Sequence, residues 1–466
     1  MSNVQPDTGK AQDDVPPKVV QGESHTVEHD AVFGDITEEG PNYRNVGWIG
    51  TVGLMLKTQF GLGVLSIPSV LNTLGIVPGV ICVCAISAIT TWSNYMVGQF
   101  KIKHREVYGI DDAGGLMFGP IGREFFACGI CIYWVFASGS GMVSASIGLN
   151  AVSAHGACTA IFVAVAAFVS FGLASVRTLG KMMWVAWAGV VSVFIAVIMV
   201  TIAVGVQDRP SEAPQYGEWT SDYKLFGSPT FTEAISAVAA IVFSFAGTPG
   251  FFPIAAEMRD PAYYTRSLLI CQSFITSVYV TIGVVVYYFC GSYVASPALG
   301  SAGVLVKKVA YGIALPGLVV STIVVLHFPS KFLFVRILRG SKHLTTNSLV
   351  HWGTWFGCTS GVTIIAYIIA SAIPVFNSLV SLIGALLGTL MSFQPYGCMW
   401  LYDNWKGRYN PTPKWYFMVG WSVFVIVSGT FIMIAGTYGA IVGIIDVNKQ
   451  SGGSRAWSCA DNSNSS

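Results

Sequence analysis

Two long apolar stretches of this chain are interrupted near their middles by glycine and proline, and no other feature narrows its possible folds as much. One runs from Gly47 to Leu74 and is broken at Gly61-Leu62-Gly63, with Pro68 beyond; the other runs from Phe231 to Met258 and is broken at Ala246-Gly247-Thr248-Pro249-Gly250. Hydrocarbon offers no hydrogen-bond partners, so a backbone that stops being helical inside a bilayer survives only where it lines a cavity or a ligand site. Two such breaks, in the first and sixth spans, point to a transporter architecture.

The bilayer itself follows from composition. Hydrophobic residues make up 53% of the chain and charged residues only 10%, with a mean hydropathy of +0.62, whereas soluble domains carry about a quarter charged residues. Apolar runs long enough to cross a hydrocarbon layer of roughly 30 Å fall near 47–74, 76–99, 122–149, 157–176, 182–205, 231–256, 266–294, 313–336, 348–371, 374–400 and 415–445. The expected fold is therefore all-α and polytopic, with eleven transmembrane helices. The shorter segment 298–312 carries Lys307 and Lys308 and reads as an amphipathic loop helix.

Charge placement sets the expected organisation. Residues 1–45 hold nine acidic side chains, from Asp7 to Glu39, against Lys10, Lys18 and Arg44, which reads as a disordered acidic tail. No basic patch precedes an apolar run there, so no cleavable signal peptide is expected. Residues 46–445 form the membrane domain and 446–466 a flexible carboxyl-terminal tail. With the amino terminus in the cytoplasm, eighteen Lys and Arg fall on that side and six on the other, Lys57 being inside a span. This is the positive-inside asymmetry, and it places the carboxyl terminus outside. Five spans per group is an odd number, so the second group enters from the opposite side, making a five-plus-five inverted repeat with one extra helix.

Ten cysteines are scattered without metal-ligand spacing, and Cys128-x-x-Cys131 lies in an expected membrane helix, where packing is the better reading than a redox pair. No nucleotide-binding loop and no cluster of acid, base and nucleophile occurs, which argues against an enzyme or an ATP-driven pump. No metal or cofactor is expected. Asn464-Ser465-Ser466 is a formal glycosylation triplet at the chain end and is discounted.

Chemistry concentrates at the breaks. Unwinding around Phe60, Gly61, Leu62, Gly63 and Val64 exposes amides at the positive end of one half-helix and carbonyls at the negative end of the other, which together suit a zwitterion. Glycines also serve close helix packing, but the second interruption at a matching position favours a site. There Phe243, Phe245, Ala246, Gly247 and Thr248 supply aromatics and small residues for an apolar side chain, and Tyr133 offers a hydroxyl to a carboxylate. Lys57 is an ammonium near mid-membrane, costing about 2.5 to 3.5 kcal/mol on insertion scales; it is weighed as an ion-coupling or gating group that pairs with Glu257, the alternative being Glu257 at the interface beside Arg259. Ser321, Thr322 and His327 are further candidates for an ion route, with a structural histidine as the plainer reading of the last.

The run from Lys57 to Pro68, KTQFGLGVLSIP, followed by Gly75-Ile76-Val77-Pro78-Gly79, resembles the amino acid/auxin permease family, and within it the fungal neutral amino acid permeases. Phe245-Ala246-Gly247, Pro253 and Glu257-Met258-Arg259-Asp260-Pro261 are similar to that family's sixth-span signature. The likeness covers about residues 45–400. It implies a leucine-transporter-like fold, substrate at the two breaks, and proton-driven import of neutral aliphatic and aromatic amino acids at the plasma membrane. Some animal relatives use sodium held between the first and eighth spans, where this chain offers only Ser321 and Thr322, so sodium symport stays an alternative. A nutrient sensor signalling through the amino-terminal tail is another. The preferred amino acid and the oligomeric state stay open.

Overall fold

The computed structural model of the chain describes residues 28–30, 34–36 and 46–466, apart from Leu62, 176–178, 211–212, 215, 345–347, 374, 451–456, 458 and 464–466. Most of the acidic segment expected to be disordered, Leu62 and the glycosylation triplet thus lie outside the described residues. Within that segment β1 (Glu28–Asp30) and β2 (Gly34–Ile36) pair antiparallel.

From residue 46 onward every regular element of the described chain is a helix. The first apolar stretch becomes α1 (Trp48–Gln59), a 3-10 turn (Gly63–Leu65) and α2 (Ile67–Leu74). Then follow α3 (Ile76–Lys103), α4 (Ile110–Ser153), α5 (Thr159–Ala174) and α6 (Leu179–Val206). The sixth stretch divides into α7 (Phe231–Phe245) and α8 (Thr248–Ala256). Beyond it lie α9 (Tyr264–Cys290), α10 (Val304–Leu338) and α11 (Leu349–Ala372). The tenth apolar stretch is α12 (Phe376–Ile383), a π-helical turn (Gly384–Gly388), α13 (Thr389–Ser392) and α14 (Gln394–Asn404), and α15 (Pro413–Gln450) closes the order.

Among the described residues nine helices are long and apolar enough to cross a membrane, and the bent pair at the first break makes ten. Thr159–Ala174 is shorter, 16 residues, or about 24 Å of helix. Counting by length alone therefore stops short of the eleven expected crossings. Two boundaries move. The lysine-bearing segment read as a loop helix is instead the first turns of α10, which runs unbroken through Pro316 and Pro329. Its Lys307 is buried and bonds the Ser463 carbonyl, which offsets the charge that made the segment read as a loop. Helix α4 starts twelve residues before the expected 122, because Gly119 at φ +71° bends the chain just before Pro120 instead of ending a loop.

Helix starts are chemically ordinary. Thr230 and Glu233 form a capping box on α7, and Pro68 and Pro249 sit in the first turns of α2 and α8, where no intrahelical amide is lost. Helix α10 packs on α4, α6 and α11; α1 packs on α6 and α9; α15 packs on α7, α12 and α14.

The face at which α1 begins is tied by main chain: the Val46 amide donates to the Glu257 carbonyl at 3.1 Å and the Arg259 amide to the Val46 carbonyl at 3.0 Å. The opposite face holds a bond the cysteine spacing does not announce. Cys158 and Cys459, 301 residues apart, form a disulfide. Around it Asn150 Nδ2 donates to Asn462 Oδ1 at 2.7 Å and Thr159 Oγ1 to the Ala460 carbonyl at 2.7 Å, so the described part of the tail beyond 446 is held where a flexible one is expected. Cys128 and Cys131 are free thiols on α4.

Candidate functional site

Four helix ends meet in the middle of the bundle. Helices α1 and α7 stop there with their carboxyl ends, and α2 and α8 start there with their amino ends. Orphan carbonyls and amides of both signs are thereby gathered in a buried place.

Close contact between the two breaks depends on Gly63. A Cβ there would fall 2.7 Å from Ser244 Cα and 2.7 Å from the Tyr279 hydroxyl. With hydrogen alone in that position, the Gly63 carbonyl accepts from Ser66 Oγ at 2.9 Å and from Ser244 Oγ at 3.1 Å, and the two hydroxyls lie 3.2 Å apart. Tyr279, from α9, donates toward the Gln59 carbonyl (2.8 Å) and the Ser244 carbonyl (3.0 Å), so one hydroxyl touches the carboxyl ends of both broken helices.

The expected site residues divide between the two breaks and the packing behind them. Gly61, Gly63, Val64, Ala246, Gly247 and Thr248 all lie buried at the breaks. The hydroxyl of Tyr133 donates to the Ala246 carbonyl, so its proton is engaged by the second break before any carboxylate arrives. Phe60 turns its ring toward Phe194 and Phe274, with centroids 6.2 and 5.9 Å away, leaving its backbone at the break. Phe245 packs edge-on against Tyr279 at 5.1 Å. Phe243 lies against the π-helical turn, where a Cβ on Gly384 would meet its Cβ at 3.0 Å.

The ion-route candidates do not form one cluster. Lys57, 1% exposed, donates to the Gly189 carbonyl on α6 at 3.2 Å, and no carboxylate pairs with it among the described residues. Ser321 faces the first break, since a Cβ on Gly61 would fall 2.2 Å from its Oγ. Thr322 faces α4 instead, 2.4 Å from where a Cβ on Gly141 would be, and His327 stands edge-on to Trp355 on α11 at 5.4 Å. Glu257 pairs with neither Lys57 nor Arg259: Lys331 of α10 donates to its carboxylate, both side chains being buried. The pairing with Lys57 fails because Glu257 caps the far end of α8, whereas Lys57 sits two residues before the stop of α1.

Several contributors escape sequence reading. Ser66 lies in the first-span motif and Ser244 just before the sixth-span one, and neither carries a signature of its own. Tyr279, Gln272 and Gly189 sit within ordinary apolar runs. Gln59 Nε2, Gln272 Oε1 and Thr248 Oγ1 are buried with no hydrogen-bond partner among the described residues, and the two glutamines touch only through Gln272 Nε2 and Gln59 Oε1 at 3.4 Å. Unsatisfied groups of this kind mark places where a ligand or water completes the set.

A Na+-coupled sialic acid symporter, solved in a substrate-bound outward-open state, superposes with a TM-score of 0.53 at 11% identity, covering 86% of this chain and 92% of its own. At that identity the likeness establishes the fold, a leucine-transporter-like one with broken first and sixth spans. A protein of Gibberella moniliformis named transmembrane transporter is 33% identical over 91% of this chain and 90% of its own length. The N amino acid transport system protein of Neurospora crassa is 29% identical over 94% and 95%. The model of the family described as transmembrane amino acid transporter protein matches residues 44–442, and the chain belongs to that family.

Proposed function

We propose that the chain imports neutral amino acids, aliphatic or aromatic, by proton symport with alternating access, binding one substrate where the two breaks meet. The observation that carries this reading is the convergence of two helix carboxyl ends and two helix amino ends in one buried place. Amides from Gly61 to Val64 and the start of α2 suit the substrate carboxylate, and carbonyls near Phe60 and from Phe245 to Gly247 suit its ammonium. Phe243, Phe245 and Tyr133 suit an uncharged side chain, and among the described residues no carboxylate stands at the breaks to serve a basic one. No cofactor beyond the coupled ion enters the cycle.

The face at which α1 begins is assigned to the cytoplasm by its excess of Lys and Arg. The Cys158–Cys459 disulfide on the opposite face favours an oxidising exterior, as at the plasma membrane. Sodium coupling is the competing reading, since the superposed symporter is Na+-coupled. The sensor reading is separated by deleting residues 1–40, which leaves uptake intact in a carrier.

Gly63→Val tests the site. Its side chain collides with Ser244 and Tyr279, so saturable uptake of labelled neutral amino acids into reconstituted vesicles falls more than about 100-fold while membrane insertion is retained. Normal uptake by this variant refutes the proposed site.

A further inference from the structure

We propose that Lys57 is the group that binds and releases the coupled proton, its amine filling the space between the first break, α6 and α10 in which a metal cation would otherwise have to sit. The assignment rests on the transport reading and names the coupling residue within it.

Three observations place the amine. Lys57 lies in the last turn of α1, 1% exposed, in the middle of the bundle. Its Nζ has one hydrogen-bond acceptor among the described residues, the Gly189 carbonyl at 3.2 Å. On its other side is the break itself: a Cβ on Gly61 would lie 3.4 Å from Nζ and 2.2 Å from Ser321 Oγ. Ser321 spends its own proton on the Gly317 carbonyl at 3.1 Å, so its oxygen is left as an acceptor toward the break. Carbonyl, hydroxyl oxygen and the negative end of α1 are an oxygen-rich surround for a cation, and the cation is built into the chain.

Among the described residues no other charged group pairs with Lys57. Helices α6, α8, α9 and α10 pack on α1. Their titratable groups nearest the break are Glu257 at the end of α8, Cys271 and Tyr279 on α9, and His327 and Lys331 on α10. Glu257 and Lys331 pair with each other, and Tyr279 donates to the Gln59 and Ser244 carbonyls. None of these groups hydrogen-bonds or pairs with Lys57.

Coupling follows from what motion does to this surround. An ammonium has three donors, and while α1 keeps Nζ against α6 and α10 the Gly189 carbonyl answers one of them. Proton binding forms one N–H bond on the amine lone pair when the site is open to the outer face. When α1 swings from α6 and α10 the acceptors withdraw while the amine is still shielded from water, so the desolvated ammonium gives up its proton: that N–H bond breaks, the proton passes to cytoplasmic water, and the neutral amine is regenerated. A sodium ion entering the same surround meets the ammonium and is repelled.

The test uses the full chain in vesicles with labelled leucine, phenylalanine and proline as probes. Lys57→Met is expected to lose accumulation driven by an imposed pH gradient by at least about tenfold while equilibrium counterflow of labelled for unlabelled amino acid persists. Gradient-driven accumulation that survives in Lys57→Met, or wild-type accumulation that requires a sodium gradient, overturns the assignment. If Lys57→Met loses counterflow as well, Gly189→Ala decides, because its Cβ would fall 2.9 Å from Lys57 Cε and from Val320 Cγ1, which keeps the amine in the chain and shifts it against its acceptor. The pH of half-maximal driven uptake is then expected to move by about half a unit or more, and an unmoved profile overturns the assignment. Wild-type vesicles without counterflow of any of the three probes sink the transport reading itself.

Discussion

The two breaks restart their helices in the same way and stop them differently. Both α2 and α8 begin with a proline in the first turn, which fixes the entry angle without losing an intrahelical bond. Helix α7, however, stops for only Ala246 and Gly247 before α8 begins, and the whole of Phe231–Ala256 still reads as one apolar span. Helix α1 stops at Gln59, turns through a 3-10 segment and resumes at Ile67, with a bend of 41°. The wider break also carries the charge. Lys57, Gln59 and Ser66 are buried around it, whereas the narrower one brings only Ser244 and Thr248. A break that only presents helix ends can be short and apolar; the coupling proposed for Lys57 would ask the wider one to hold a cation and move it as well, which needs more loosened chain.

The charges give the largest expected difference. Lys331 is compensated by Glu257 at the far end of α8, and Lys57 has no compensating carboxylate among the described residues. Breaking a buried pair by removing one partner costs about 3 to 5 kcal/mol, so Glu257→Gln is expected to lower the melting temperature of the purified protein strongly, and the exchange Glu257→Lys with Lys331→Glu to restore much of it. Lys57→Met removes an uncompensated charge and is expected to leave melting unchanged or raise it. Equal losses in Glu257→Gln and Lys57→Met would erase the distinction between the two breaks.

A smaller effect is expected where one side chain serves both. The Tyr279 hydroxyl reaches carbonyls of α1 and α7, at 2.8 and 3.0 Å, whereas Tyr133 reaches only Ala246 of the second break. Losing a buried donor costs about 1 to 3 kcal/mol, and Tyr279→Phe is expected to weaken substrate binding about tenfold in equilibrium titrations. Tyr133→Phe is expected to weaken it less. The reverse order would mean that the second break, not the junction of both, dominates recognition.

Much of this architecture is legible in the residues because hydrocarbon is an unforgiving solvent: Gly61, Gly63, Gly247 and Pro249 are conspicuous within apolar runs, and they mark both breaks. What the chain cannot announce is which distant residue answers a polar group. Glu257 has Arg259 two residues away and Lys57 in a matching span, yet its partner is Lys331 from α10. Tyr279 and Gly189 have no local pattern, because their roles depend on helix packing alone. Cys158 and Cys459 stand 301 residues apart, so their bond follows from the start of α5 and the described residues 459–463 lying together, as the Thr159 and Asn150 bonds to them show. The start of α10 was obscured for a related reason: Lys307 reads as a loop residue until the Ser463 carbonyl is found beside it.

The finest expected effect lies in the seam between the breaks. Ser66 and Ser244 both donate to the Gly63 carbonyl, at 2.9 and 3.1 Å, and their oxygens are 3.2 Å apart. Ser244 has a second acceptor in its own helix, the Ala240 carbonyl at 2.9 Å, so Ser244→Ala strands little and is expected to cost about 1 kcal/mol. Ser66→Ala removes a bond made within the first break and is expected to cost about the same. Should the hydroxyls act as a hinge joining the two breaks, the double variant departs from the sum of the singles by about 0.5 kcal/mol or more in binding affinity. Strict additivity would show that each serine trims its own helix end, and that the two breaks meet through the substrate instead of through each other.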